Sequence, residues 1–151
     1  MTQDAEPDRI IGGANAPKVF AWPVRVYWED TDAGGVVFYA NYLKYFERAR
    51  TEWLRAAGFE QQSLRDSAGG MFVVSDATLK FHRPARLDDQ LLVNTWLQEG
   101  GRVCMTIGQQ ARRGPQADGE ILCDATIRIG WVDSHSFKPA RIPSSIVKAL
   151  S

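Results

Sequence analysis

Hydrophobic and polar positions change their period twice along this chain. From 19 to 28 (VFAWPVRVYW) β-branched and aromatic residues dominate, and Val24, Val26 and Trp28 alternate with Arg25 and Tyr27. This is a strand pattern, with Pro23 marking an edge or a bulge near its start. From about Tyr39 to Ala57 the period becomes helical. Tyr42, Phe46, Ala49, Trp53 and Ala56 recur at steps of four and three, while Lys44, Glu47, Arg48, Thr51, Glu52 and Arg55 take the positions between. Arg48 and Glu52 stand as i,i+4 neighbours, and Gly58 is a natural stop. Further apolar residues on other flanks, Leu43, Tyr45 and Leu54, are what a helix wrapped by a curved sheet requires. A short second helix is predicted over Gln61–Ala68.

The period then drops to two. In 71–82, Val73, Ser75, Ala77, Leu79 and Phe81 share one face and Val74, Asp76, Thr78, Lys80 and His82 the other. In 90–98, Leu91, Val93, Thr95 and Leu97 alternate with Leu92, Asn94, Trp96 and Gln98. In 102–112, Val103, Met105, Ile107 and Ala111 fall on one side. In 120–132, Ile121, Cys123, Ala125, Ile127, Ile129 and Trp131 face opposite to Asp124, Thr126 and Arg128. Gly100-Gly101 and the stretch from Gly114 to Gly119 supply hairpin turns. Four successive strands at this spacing predict an antiparallel meander with one apolar face. The whole predicts an α+β domain over 19–151: a five-stranded antiparallel sheet burying its apolar face on the only helix long enough to cover it. Residues 1–18, without periodicity and rich in Pro, Gly, Asp and Ala, are expected to form a flexible tail.

Composition narrows the function classes. The chain has 151 residues, a length that suits one domain, with 18 basic and 18 acidic side chains and a formal charge of zero. That balance argues against holding nucleic acid by bulk positive charge. No run approaches the ~18 apolar residues of a membrane-spanning helix. Asp4, Glu6 and Asp8 stand where a signal peptide carries basic residues, and no apolar stretch follows. The two cysteines, Cys104 and Cys123, read as reduced thiols, and the expected compartment is the cytoplasm.

The densest candidate chemistry is the stretch 29–35, EDTDAGG, between the first strand and the long helix. It places Asp30 and Asp32 beside the unpaired backbone N–H groups of a helix start, which can hold a developing oxyanion. A carboxylate aimed at the same point can act as general base on water or as nucleophile on a carbonyl. Gly34 and Gly35 let backbone approach a ligand closely. The same residues also read as a plain Asx turn capping the helix.

The segment Glu29–Arg50 resembles the signature of the hotdog-fold acyl-CoA thioesterases of the 4-hydroxybenzoyl-CoA thioesterase superfamily, most of all the YbgC-like, Tol–Pal-associated branch. The stretches 79–91 (LKFHRPARLDDQL) and 133–147 (DSHSFKPARIPSSIV) extend the likeness over roughly 20–150. The resemblance implies a hotdog fold, a long helix wrapped by an antiparallel sheet. It implies a homodimer with joined sheets, commonly paired into a homotetramer, with sites at the dimer interface, and hydrolysis of the thioester of an acyl-coenzyme A. It makes Asp32 the catalytic carboxylate and the Tyr39 backbone N–H the oxyanion contact, with Gly35 and Val36 against the substrate. No metal or cofactor is implied, coenzyme A being part of the substrate; an acyl carrier protein or Tol–Pal-related proteins are the implied partners. The branch usually carries His where this chain has Tyr39 in FYANY, as the 4-hydroxybenzoyl-CoA branch does, so proton transfer by that imidazole is absent.

Other residues carry weaker signals. Glu47 is a second candidate carboxylate, or a partner of Arg50 at i+3. Ser75 reads as a substrate-binding hydroxyl or a satisfied core one. Lys80, His82, Arg83 and Arg86 cluster at a strand exit, with Arg112 and Arg113 at a hairpin end, and suit the phosphates of coenzyme A. His82 and His135 stand in no metal-ligand spacing. Two alternatives remain: a non-catalytic acyl-CoA, acyl-carrier or envelope-complex accessory protein on the same fold, and a hotdog dehydratase, which wants a His in a Gly-Pro context that neither histidine has.

Overall fold

The computed structural model describes residues 18–151, so apart from Lys18 the expected N-terminal tail lies outside the described residues. Five strands form one antiparallel sheet: β1 (Phe20–Arg25), β2 (Gly70–Phe81), β3 (Gln90–Glu99), β4 (Cys104–Arg113) and β5 (Ile121–Asp133). Helix α1 (Asn41–Ala56) lies in the curve of the sheet, followed by α2 (Gln61–Ala68), and α3 (Ser144–Leu150) ends the chain. This is the expected hotdog architecture. The helix is buried on more than one flank, through Tyr42, Tyr45, Phe46, Ala49, Trp53 and Leu54, as wrapping by a sheet demands. Leu43, by contrast, is exposed. Opposite the helix lie Val93 of β3, Met105 and Ile107 of β4, and Ile127 and Ile129 of β5, all buried. Among the described residues no helix is long and apolar enough to cross a membrane.

Three features depart from the sequence reading. The strands do not form a simple meander: β3, β4 and β5 do, but β2 lies at the far edge beside β5, giving the order β1-β3-β4-β5-β2. Period-two alternation reports which face a residue takes, not which strand is its neighbour. The segment 82–89 therefore crosses the end of the sheet instead of turning back on itself, held by Leu122 and Arg113 on the way. Second, β2 carries a bulge between Val74 and Asp76. Past it Ala77, Leu79 and Phe81 share a face as predicted. Before it Phe72 and Val74 oppose Trp131 and Ile129, so the phase is reversed and Ser75 is the unpaired extra residue. Third, the first strand stops at Arg25, and Trp28–Asp30 form a 3₁₀ turn. Helix α3 was not anticipated either, although Ile142, Ile146 and Leu150 repeat at four and are all buried.

One polar group interrupts the apolar interface under α1. Gln109 of β4 is fully buried in phase with Ile107 and Ala111. Its amide donates to the Phe46 carbonyl (3.0 Å) and the Thr95 hydroxyl (2.9 Å), and its oxygen accepts from Arg50 (2.9 Å). Gln109→Leu keeps the volume but removes one hydrogen-bond partner from each of these three groups. It should cost roughly 2–4 kcal/mol of stability, read from urea unfolding; a loss within error would mean that water replaces the amide.

Candidate active site

The loop after β1 folds into a minute hairpin. Thr31 bridges Val37, the Asp32 N–H donates to the Val36 carbonyl (2.9 Å), and the Gly35 N–H donates to the Asp32 carbonyl (3.0 Å). Gly35 adopts φ +77°, the left-handed region that the turn requires. Gly35→Ala should therefore cost about 1–2 kcal/mol in backbone strain and, by disturbing the tip, lower turnover; a melting curve and a rate that both match wild type would refute this.

The two candidate carboxylates have different surroundings. Asp30 is buried, accepts the Tyr27 N–H on Oδ2 (2.8 Å), and offers its carbonyl to the Phe38 N–H (3.0 Å) and the Asn41 side chain (2.7 Å). It ties the loop to the start of α1. The buried Tyr45 hydroxyl lies close to its carboxylate without a hydrogen bond of ordinary geometry, and burial first, then Asp30, push that phenol well above its usual range. Asp32 instead stands exposed at the hairpin tip. Its Oδ1 accepts the Gly34 N–H (2.8 Å), while Oδ2 has no hydrogen bond among the described residues. One oxygen thus holds the turn and the other is free. Tyr39 lies in the turn that leads into α1, and its N–H has no partner among the described residues. Its ring packs on Phe38 and on Phe81 at the end of β2.

The other predicted segment arrives at the same place. The crossing strand 82–89 pairs with the hairpin, Val36 bridging Arg86 and the Val37 N–H donating to the Ala85 carbonyl (2.8 Å). The Ala85 N–H donates to the Tyr42 hydroxyl of α1 (3.2 Å), and burial raises the pKa of that phenol. Ala85, fully buried, therefore joins the loop, the helix and the basic exit, a role that a small residue inside a charged stretch did not announce. Of the cations, His82 meets Asp124 (2.7 Å) and Arg83 meets Glu120 (2.7 Å), whereas Lys80 and Arg86 form no ion pair among the described residues. Arg113 is spent on Asp89, Glu120 and the Pro84 carbonyl, and Arg112 on Gln110 and Gly119.

The remaining candidates lie apart from the hairpin. Ser75 sits in the bulge rather than on the apolar face, exposed, its hydroxyl donating to the Arg128 carbonyl (3.3 Å). Glu47 is exposed and forms no ion pair with Arg50, which turns inward to Gln109; likewise Glu52 pairs with Arg55 and not with Arg48. Cys123 is buried, and burial pushes its thiol up to about 12, so it is no nucleophile at neutral pH. Among the described residues no group of three or more His, Cys, Asp or Glu side chains is arranged to hold a metal ion.

A sheet wrapped on one helix, with a carboxylate oxygen and a backbone amide that have no partner among the described residues in the segment leading into that helix, is an arrangement able to polarise and attack a carbonyl. Comparison with known proteins agrees. The family model of the thioesterase-like superfamily matches residues 26–150. The acyl-CoA thioester hydrolase YbgC of Escherichia coli O6:H1 is 43% identical over 129 residues, 85% of this chain and 93% of that one. The acyl-CoA thioesterase YbgC of Haemophilus influenzae is 41% identical over 131 residues, 87% and 93% of the two chains. Among solved structures, a probable thioesterase from Bartonella henselae superimposes with a TM-score of 0.77 at 33% identity, covering 83% of this chain and 99% of that one. The chain belongs to the thioesterase-like superfamily, and it is a thioesterase.

Proposed function

We propose that this protein hydrolyses acyl-coenzyme A to the free acid and coenzyme A, with Asp32 as the catalytic carboxylate. The observation that carries the reading is the combination in one short segment of a carboxylate oxygen without a partner, on Asp32, and an unpartnered N–H, on Tyr39, at the entry to α1. The thioester carbonyl accepts from that N–H, and the backbone of Gly35 and Val36 lines its approach. As water or Asp32 itself attacks, the oxyanion that develops is held by an amide already in place. The tetrahedral intermediate then expels the thiolate of coenzyme A. If Asp32 is the nucleophile, a mixed anhydride forms and water cleaves it; a single turnover in labelled water separates the routes by whether oxygen enters Asp32 or the product. Base and oxyanion donor both come from the chain, so the route calls on no metal or cofactor.

Lys80 and Arg86 are the cations free to meet the phosphates of coenzyme A, with Arg83 reaching them by exchanging Glu120 for phosphate, and Ser75 offers a hydroxyl along β2. An acyl carrier protein presents the same thioester on the same kind of arm and fits the same chemistry, and coenzyme A thioesters place the action in the cytoplasm. The working unit we propose is a homodimer joined along β2, itself able to pair into a tetramer. The test is a panel of aromatic and aliphatic acyl-coenzyme A thioesters followed by release of free thiol: hydrolysis of at least one is expected, and none across the panel would overturn the reading.

A further inference from the structure

A second chemical feature lies about three turns along α1 from the hairpin. Arg50 lines a hollow between α1, α2 and the first half of β2, walled by Trp53, Leu54, Phe72, Ile107 and Ile129, with the polar side chains of Glu47 and Gln61 also on its lining. Arg50 is half-buried and its guanidinium has one hydrogen bond, to Gln109, which is itself pinned by Phe46 and Thr95. No carboxylate lies within ion-pair distance of it among the described residues, and its remaining N–H donors are without protein partners there. Burial lowers the pKa of the group, and the charge of Glu47, which forms no ion pair with it, only partly offsets that burial. A guanidinium fixed by a buried amide inside a largely apolar hollow is a receptor for an anion, because a carboxylate can take two parallel N–H bonds while the rest of the ligand packs on the walls.

The hollow also lies along a path from the proposed reaction centre. Leu43, Glu47, Arg50 and Leu54 follow one another at steps of four, three and four, which puts them on one flank of the helix, and Tyr39 lies in the turn just before it. Leu43 of α1 and Val74 of β2 are exposed apolar residues. From the helix start at Asn41 to Arg50 is nine positions, about 14 Å at the rise of a helix. An extended acyl chain of roughly a dozen carbons spans that distance, given C–C bonds near 1.5 Å.

We propose that the far end of the acyl chain enters this hollow and that Arg50 selects acyl groups ending in a carboxylate. This rests on the acyl-CoA reading above and adds the substrate class. A plain alkyl end would bury the guanidinium against methyl groups, whereas a terminal carboxylate satisfies it. Rejection of the unmatched end is strong when a site's polar group is left unpaired.

The test compares the monothioester of dodecanedioic acid and coenzyme A with dodecanoyl-CoA, in wild type, Arg50→Met and Arg50→Lys. Wild type should favour the carboxylate-ended substrate in kcat/KM by about tenfold or more. Arg50→Met should bring that ratio to near one, and Arg50→Lys should keep part of it. Equal rates for the two substrates in wild type, or a ratio unchanged in Arg50→Met, would overturn the proposal. Binding measured by calorimetry separates it from the reaction itself. Dodecanoate, whose own carboxylate offers the same chemistry, should bind wild type about tenfold more tightly than Arg50→Met, and more tightly than dodecanol does. If no thioester is hydrolysed but this binding pattern holds, the catalytic reading fails and the carboxylate site stands. If dodecanol binds as well as dodecanoate, the site fails whatever the turnover.

Discussion

Asp32→Asn should lower kcat by about 10²–10⁴-fold, the range attached to loss of a positioned acid or base, while the melting temperature stays within a degree or two of wild type. The substitution is chosen from the hydrogen bonds. Asp32 Oδ1 accepts the Gly34 N–H, and the asparagine oxygen can accept it in the same place, so the hairpin keeps its shape. What disappears is the negative charge and the second oxygen, the one with no protein partner. A structural Asx turn would tolerate the change, because an amide oxygen caps a turn nearly as well as a carboxylate. The plain turn reading and the catalytic reading of 29–35 therefore give opposite results. Near-normal turnover with the best acyl-coenzyme A would remove Asp32 from the chemistry. Asp30→Asn is the internal comparison: that carboxylate is buried against the Tyr27 N–H and beside Tyr45, so its loss should appear first in stability.

What could be read from the chain follows from what each kind of pattern encodes. Tyr42, Phe46, Ala49 and Trp53 are buried as their spacing requires, because a helix writes its buried stripe into its period. Cys123, Ala125, Ile127, Ile129 and Trp131 are buried while Thr126 and Arg128 are exposed, for the same reason in a strand. Strand order is not written that way. The eight residues 82–89 lack any tight-turn dipeptide, and that was the one local sign that β2 and β3 are not a hairpin. A bulge such as that at Ser75 shifts the phase by one residue and leaves no mark in a stretch where Val73 and Val74 are both apolar. In the site, EDTDAGG and the basic exit were visible as separate segments. Their meeting through Ala85 depends on long-range backbone pairing, which no local pattern reports. The Arg50–Gln109 pair was missed although a signal existed: a glutamine stands in phase with Ile107 and Ala111, and a buried amide on an apolar face needs a partner across the core.

Ala77→Asp should convert a dimer into monomers and lower kcat/KM by about a hundredfold or more, the scale on which small misplacements of catalytic parts act. The reasoning begins from the sheet edge. Among the described residues β2 pairs only with β5, so over its twelve residues the other side has no strand partner there. One of its faces exposes apolar residues: Val74 is 52% and Phe81 48% accessible, and Ala77 between them is exposed as well, while Asp76, Thr78 and Lys80 face the other way. A long edge with exposed apolar residues on one face is an invitation to pair with another chain. A two-fold axis through the middle of β2 lets two copies meet edge to edge, antiparallel, each covering the other's exposed residues. The same meeting brings a second chain over Phe81 and the neighbouring Tyr39, whose ring is 65% exposed in the single chain, and so closes the water-facing side of the hairpin. Ala77 lies close to the centre of the strand, so an aspartate there faces its own copy near the axis, and like charges directly opposite destabilise a strand pair. Ala77 fills no core position in the single chain, and the variant should fold with unchanged far-ultraviolet circular dichroism. Sedimentation velocity should show wild type as a dimer or a larger even assembly and the variant near the 16.9 kDa of one chain. A fully active wild-type monomer, or a variant that stays assembled with wild-type turnover, would place the interface elsewhere and make the site complete within one chain.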